Sequence, residues 1–80
     1  MRVAPGQGQI RELDAVRLLV DIPAEGIRRD AVGTVLHVFT RPRLAYELEF
    51  CDARGRTVAQ FAALPDQIEL VTPSPPKRSD

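Results

Sequence analysis

Residues 45–61, AYELEFCDARGRTVAQF, decide the fold of this chain. The first part alternates apolar residues with glutamates, in the order Tyr46, Glu47, Leu48, Glu49 and Phe50. Such alternation is typical of an antiparallel strand with one face on a core and the other in water. The turn Asp-Ala-Arg-Gly follows, and Gly55 is expected to take the left-handed conformation that closes it. The stretch therefore predicts a β-hairpin with strands over residues 45–51 and 56–62.

Three further strands are predicted around this hairpin, over residues 14–20, 32–39 and 68–71. The second of them is rich in β-branched and apolar side chains, which favours a central position in a sheet. Gly33 lies early in it, where a glycine marks a bulge or a close approach of another segment. A helical period over residues 10–20 competes with the first strand. We favour the strand because the hairpin needs a further partner.

The connections between these strands differ in length. A long loop over residues 21–31 contains Ile22 and Ile27, which are expected to pin it to the core. Residues 40–43 form a turn around a proline, and residues 63–67 are predicted to form one 3₁₀ turn. The spacing predicts a mainly β protein, a small five-stranded SH3-like barrel over residues 12–71. An open five-stranded sheet and an OB-like barrel fit the same spacing.

The ends of the chain lack apolar periodicity. We expect a flexible lead-in over residues 1–11 and a disordered Pro-rich tail over residues 72–80. Neither a signal peptide nor a membrane-spanning run is evident, so a cytoplasmic protein without membrane contact is predicted.

The composition limits what the chain can do. Eighty residues are one domain at most, with a small core that favours stabilisation by a partner or an oligomer. One cysteine and one histidine supply neither a disulfide framework nor a usual zinc site. The 11 basic and 11 acidic residues cancel, which gives no electrostatic footprint for nucleic acid. We therefore expect no metal and no cofactor.

Several short motifs, taken together, resemble the domain of unknown function family 4926, which consists of small bacterial proteins. They are ELDAVRLL at residues 12–19, DIP at 21–23, VGTV at 32–35, YELEF at 46–50, GRT at 55–57 and DQI at 66–68. The family usually has a glycine three residues before Gly33. Here that residue is Asp30, which also tolerates a left-handed conformation. The resemblance covers about residues 12–71 and implies no activity.

A more distant likeness concerns the fold alone. The VGTV run followed by Tyr-x-Leu-x-Phe is similar to SH3-like barrels of the electron-transport accessory type, a group that includes the nitrile hydratase β-subunit barrel. Those barrels are partners of larger proteins, so this likeness implies an accessory role.

The residue types that carry catalysis are sparse and scattered. His37 lies among strand residues, and we interpret it as a histidine on the wet face rather than a base. Cys51 ends a strand and is expected to be a small packing residue. Glu47 and Glu49 share one strand face, where paired carboxylates more often solubilise a sheet than do acid–base work. The sequence therefore predicts that the chain is not an enzyme.

Two pairs of arginines are the candidate partner-binding residues. Arg28 and Arg29 lie in the long first loop, and Arg41 and Arg43 lie in the next turn. In an SH3-like barrel these two connections flank one groove, where guanidinium groups bind carboxylate or phosphate with two parallel hydrogen bonds. The alternative is ordinary solvated loop charge.

Two classes of function remain. The first is a non-catalytic protein-interaction module, either an accessory subunit or one half of a two-gene pair, or a homo-oligomer. Its partner is expected to pair with a sheet edge, and the final strand over residues 68–71 is the candidate. The second is a nucleic-acid-binding barrel of the KOW or Tudor sort that uses the arginine loops, and its binding would depend steeply on salt.

Overall fold

A computed structural model describes residues 10–71 of the chain, and these residues form a mainly β structure. The five strands are β1 (Ala15–Leu18), β2 (Val32–Phe39), β3 (Ala45–Cys51), β4 (Thr57–Ala63) and β5 (Ile68–Leu70). Two 3₁₀ turns accompany them, at Pro23–Glu25 and Pro65–Gln67. The five predicted strands and the second 3₁₀ turn are confirmed. The first 3₁₀ turn was not predicted, although a proline at the first position of such a turn is a known signal. The predicted tail, residues 72–80, and residues 1–9 of the predicted lead-in over residues 1–11 lie outside the described residues.

The strands form one antiparallel sheet in the order β4-β3-β2-β1-β5. Strands β1 to β4 are consecutive neighbours, and the chain then returns to place β5 beside β1. The two outermost strands, β4 and β5, are not hydrogen-bonded to each other, so the described residues form an open sheet. The predicted closure into a barrel is therefore not confirmed.

The register gives each face of the sheet its own composition. Leu48 of β3 lies opposite Val35 of β2 and Phe61 of β4, which puts three apolar residues in one row. One residue along the chain, Glu49 lies opposite Thr34 and Gln60 on the other face. The alternation of β3 therefore sorts the whole sheet into an inner face on the core and an outer polar face.

The core lies on the inner face. Its buried residues are Ile10, Val16, Leu18, Val35, Tyr46, Leu48, Phe50, Ala59, Ala63 and Ile68. Two aromatic rings, those of Phe50 and Phe61, stack at 5.4 Å between centroids. The loop residues Ile22 and Ile27 pack against this core, as predicted. Ile10 belongs to it as well, so the packed body includes a residue N-terminal to the predicted start at residue 12.

Gly33 makes a close approach rather than a bulge. A methyl group at this position would lie 2.8 Å from the carbonyl oxygen of Glu49 and 2.8 Å from a ring carbon of Phe50. The bulge of β2 lies further along the strand, between Val35 and His37. The missing side chain of Gly33 thus leaves room for the Phe50 ring on the inner face.

The turn between β3 and β4 has the predicted chemistry. Gly55 has φ 81°, and its N–H donates to the carbonyl oxygen of Asp52 (2.9 Å). The side chain of Asp52 accepts hydrogen bonds from the backbone N–H groups of Arg54 (2.8 Å) and Arg56 (3.0 Å). An aspartate that satisfies two turn donors and a left-handed glycine together fix the hairpin register.

Replacing Gly55 with valine is expected to lower the free energy of unfolding by about 1 kcal/mol or more, because a β-branched residue is disfavoured at positive φ. A Cβ at this position meets no atom within 4 Å, so the cost comes from the backbone alone. Gly55→Asn is the matched control, since asparagine tolerates this conformation, and it should cost less. Urea unfolding measures both, and equal stability of wild type and Gly55→Val would refute the turn assignment.

Candidate functional site

The first arginine pair lies in a loop with internal structure. Ile22 and Ile27 exchange two backbone hydrogen bonds (2.8 and 3.2 Å) around the 3₁₀ turn Pro23–Glu25, and Gly26 ends that turn with φ 71°. The backbone N–H of Arg29 donates to Asp21 Oδ1 (2.8 Å). The predicted long loop is therefore a small hairpin-like projection between β1 and β2.

The return of the loop to β2 uses a left-handed residue. Asp30 has φ 76°, and its N–H donates to the carbonyl oxygen of Leu18 (2.9 Å). The expectation that Asp30 tolerates a left-handed conformation is confirmed. It matters for the site because Asp30 directly follows Arg28 and Arg29, where the loop returns to β2.

An open hollow of about 260 Å³ lies against this projection. Its lining residues are Asp21, Pro23, Gly26, Ile27 and Arg28. The residues around the hollow are thus a proline, a glycine and an isoleucine together with one arginine and one aspartate. An apolar side chain matches Pro23 and Ile27, and an acidic group matches Arg28, because Asp21 already accepts the backbone N–H of Arg29.

The four candidate arginines do not converge on this hollow. Arg28 and Arg29 precede β2, whereas Arg41 and Arg43 follow it, and an eight-residue strand separates its two ends by about 20–25 Å. Neither Arg41 nor Arg43 lines the hollow. The predicted single groove is thus replaced by two separate pairs, because β2 is extended along its length.

All four candidate arginines are exposed, and among residues 10–71 none of them forms an ion pair with an acidic side chain. Two other arginines are paired. Arg56 lies 3.6 Å from Asp52, and Arg17 donates two hydrogen bonds to Glu69, which lies opposite it in the register of β1 and β5. Hydrogen bonding to Glu69 raises the pKa of Arg17, and the negative charges of Glu69 and Asp30 raise it further. Arg17 therefore stabilises the pairing of β1 with β5, whereas the four loop arginines have no such partner within residues 10–71.

The outer face of the sheet holds the remaining polar candidates. Gln60 donates to Glu47 Oε2 (2.8 Å), and Thr57 donates to Glu49. His37 lies on the same face, with its Nδ1 3.3 Å from Glu12 Oε2. Within the described part of the chain, no three His, Cys, Asp or Glu side chains are grouped so as to hold a metal ion. Both glutamates are thus hydrogen-bonded to β4, and His37 lies on the wet face as predicted.

Cys51 was predicted to be a small packing residue, and this prediction is wrong because its side chain is exposed at the end of β3. The reason is the parity of the strand, since Cys51 falls on the outer face with Glu47 and Glu49, whereas Phe50 takes the inner position.

The family comparison agrees with the motifs. The model of the family described as Domain of unknown function (DUF4926) matches residues 12–70 of the chain. The chain belongs to the DUF4926 family. The match runs from the residue that pairs with His37 to the last residue of β5, so the DUF4926 domain contains the whole sheet and the loop that forms the hollow.

Neither a curated protein nor a solved structure shows a significant match to the chain. Separately, no helix within residues 10–71 has the length and apolar character needed to cross a membrane.

Two features of the site were missed from sequence. The first is the role of Asp21, which accepts the Arg29 backbone N–H across eight residues and has no short-range signature. The second is the edge position of β4, because a hairpin pattern does not say which of its two strands ends a sheet.

Proposed function

We propose that this DUF4926 domain is a non-catalytic protein-interaction module, an accessory subunit or one half of a two-gene pair, that docks its partner in the hollow beside Arg28. The observation that carries the proposal is an exposed guanidinium group, without an acidic partner among residues 10–71, next to apolar surface from Pro23 and Ile27. The partner segment carries an acidic side chain next to a small apolar one. Arginine binds carboxylates with two parallel hydrogen bonds, and the apolar wall adds burial.

The connections of the sheet support an accessory role by analogy. A long first loop, two short connections around β3 and a 3₁₀ turn before β5 are the connections used by SH3-like barrels. We propose that the domain is related to those barrels, and that it works in the cytoplasm as they do when they accompany larger proteins. The support is at the level of fold, and the hollow supplies the specific chemistry.

Nucleic-acid binding by a KOW- or Tudor-like use of the arginines is the competing function. The exposed arginines, which have no acidic partner among residues 10–71, favour it, but two observations weigh against it. The residues from 12 to 71 include 7 basic and 10 acidic side chains, a net charge of 7 − 10 = −3. In addition, the arginine pairs lie at opposite ends of β2, so they do not form one continuous basic stripe.

Photo-crosslinking in the native cells tests the proposal. A benzophenone amino acid replaces Ala24, which is exposed in the 3₁₀ turn of the projection and does not line the hollow. We expect one dominant protein adduct that disappears when Arg28→Glu is added, because the reversed charge repels the acidic partner. Arg43→Glu is the matched control, an exposed arginine beyond the other end of β2, and the adduct should persist in it.

The adducts also separate the two functions. Adducts that are sensitive to ribonuclease or deoxyribonuclease would favour the nucleic-acid alternative. A protein adduct that survives Arg28→Glu would show that the hollow is not the docking site.

A further inference from the structure

The edge of the sheet formed by β4 is an interaction surface separate from the hollow. We infer that two copies of this chain pair antiparallel through β4, so that their sheets join into one. The segment predicted from sequence for this purpose was residues 68–71. In the structure β5 is also an edge, but it has only three residues and one of them, Glu69, is bound to Arg17.

β4 lacks the features that normally protect an edge. It has seven residues, and its sequence TVAQFAA contains neither a charge nor a proline. Edge strands usually carry lysine, proline or inward-pointing charges, which prevent a second strand from adding to the unpaired N–H and C=O groups. The one protective feature is a register shift beside Val58, which leaves residues 59–63 regularly paired with β3.

The side chains of β4 are complementary to their own copy. We consider two copies of β4 that lie antiparallel, with Gln60 of one directly opposite Gln60 of the other. In that register, Phe61 of each copy lies opposite Ala59 of the other. The large side chain of Phe61 therefore meets a small one within the regular part of the strand, and β4 carries no charges that could face each other.

Core burial favours a second copy over an unrelated strand. Phe61 belongs to the inner face but is only partly buried, whereas Ala59 and Ala63 on the same strand are buried. Pairing with the second copy covers Phe61 of each chain with Ala59 of the other.

The pairing leaves the hollow free. The projection that carries Arg28 joins β1 to β2, and β3 separates those strands from β4. A dimer through β4 therefore presents two hollows, and a partner with two acidic segments gains from binding both. The inference does not depend on the proposed function of the hollow.

Sedimentation equilibrium of the full chain, with Cys51→Ser to remove the exposed thiol, tests the pairing. One strand pair is a small interface, so we expect a dimer that dissociates at micromolar concentrations. Gln60→Lys should raise the dissociation constant by about tenfold or more, because it places two like charges opposite each other. Thr34→Lys is the control, since Thr34 and Gln60 both lie opposite Glu49 but only Gln60 is at the edge. Equal melting temperatures of the two variants would show that the fold is intact.

A disulfide test checks the register. Gln60→Cys in the Cys51→Ser chain should form a disulfide between copies under mild oxidation, because directly opposite residues have Cα atoms at a distance that a disulfide spans. Thr34→Cys, on the same outer face but in the interior of the sheet, should not. A strict monomer at about 0.5 mM, well above the range of weak interfaces, would overturn the inference. A dimer that Gln60→Lys does not weaken, or that Gln60→Cys does not crosslink, would overturn it as well.

Discussion

Replacing Leu48 with alanine is expected to lower the free energy of unfolding by about 3 kcal/mol, within the range measured for large-to-small changes in cores. Leu48 has no exposed surface and lies in the middle of β3, between Val35 and Phe61. The strands on both sides hold their backbones in place, so the site cannot collapse onto the missing atoms. A domain of this size has roughly 5 kcal/mol of total stability, so the variant should be close to unfolding at 37 °C.

Urea unfolding followed by far-UV circular dichroism measures this loss. Leu44→Ala is the control, because Leu44 is 41% exposed in the turn before β3, and its loss should be below about 1 kcal/mol. Similar losses for the two variants would mean that the inner face of β3 is not the core.

Replacing Gly33 with alanine is expected to lower the free energy of unfolding by about 2 kcal/mol, a typical cost for overpacking. The added methyl group meets the Glu49 backbone carbonyl at 2.8 Å and the Phe50 ring at 2.8 Å. The ring can shift, but the carbonyl belongs to the neighbouring strand and cannot move without disturbing the ladder. Alanine normally suits a strand better than glycine, so a loss of stability here would be specific to this contact.

Thermal unfolding of wild type, Gly33→Ala, Phe50→Leu and the double variant separates the two contacts of Gly33. Phe50→Leu shortens the side chain, so Gly33→Ala should cost less in the Phe50→Leu background than in wild type. Thr34→Ala is the positional control on the outer face of the same strand, and it should change stability little. An unchanged or raised melting temperature for Gly33→Ala would contradict the close approach of β2 and β3.

The sequence was most informative where local chemistry determines the structure. The alternation around Leu48 predicted the inner and outer faces, and the Asp-x-x-Gly turn predicted the positive φ of Gly55. The left-handed conformation of Asp30 was expected because the family motif usually has a glycine at this position. These features depend on neighbours within a few residues, and short patterns record them.

Features set by the three-dimensional path were harder to predict. Whether β4 and β5 close a barrel depends on the twist and curvature of the sheet, which leave no short-range pattern, and the described residues form an open sheet. The arginine pairs were assigned to one groove because the barrel was assumed, and the length of β2 separates them. Cys51 was predicted to be a small packing residue because it ends a strand, whereas the strand parity places it on the outer face.

The proposed docking in the hollow and the proposed pairing through β4 are two independent ways for the domain to meet other chains. The first would use charge and apolar surface, and the second would use backbone hydrogen bonds and small side chains. Variants at Arg28 should therefore leave the association of copies unchanged, and variants at Gln60 should leave each hollow intact. The two surfaces can be tested separately in one set of purified proteins.

The central claim is that Arg28 docks a protein segment, and calorimetric titration tests it most directly. The protein captured by crosslinking from position 24 is titrated into wild type, Arg28→Glu and Arg43→Glu, and an RNA of about 20 nucleotides is titrated in parallel. We expect Arg28→Glu to weaken binding of the protein by tenfold or more, Arg43→Glu to leave it unchanged, and RNA to show no binding at physiological salt. Equal affinity of wild type and Arg28→Glu for the captured protein would contradict this claim. So would RNA binding for which a plot of the logarithm of the association constant against the logarithm of the salt concentration has a negative slope of several units.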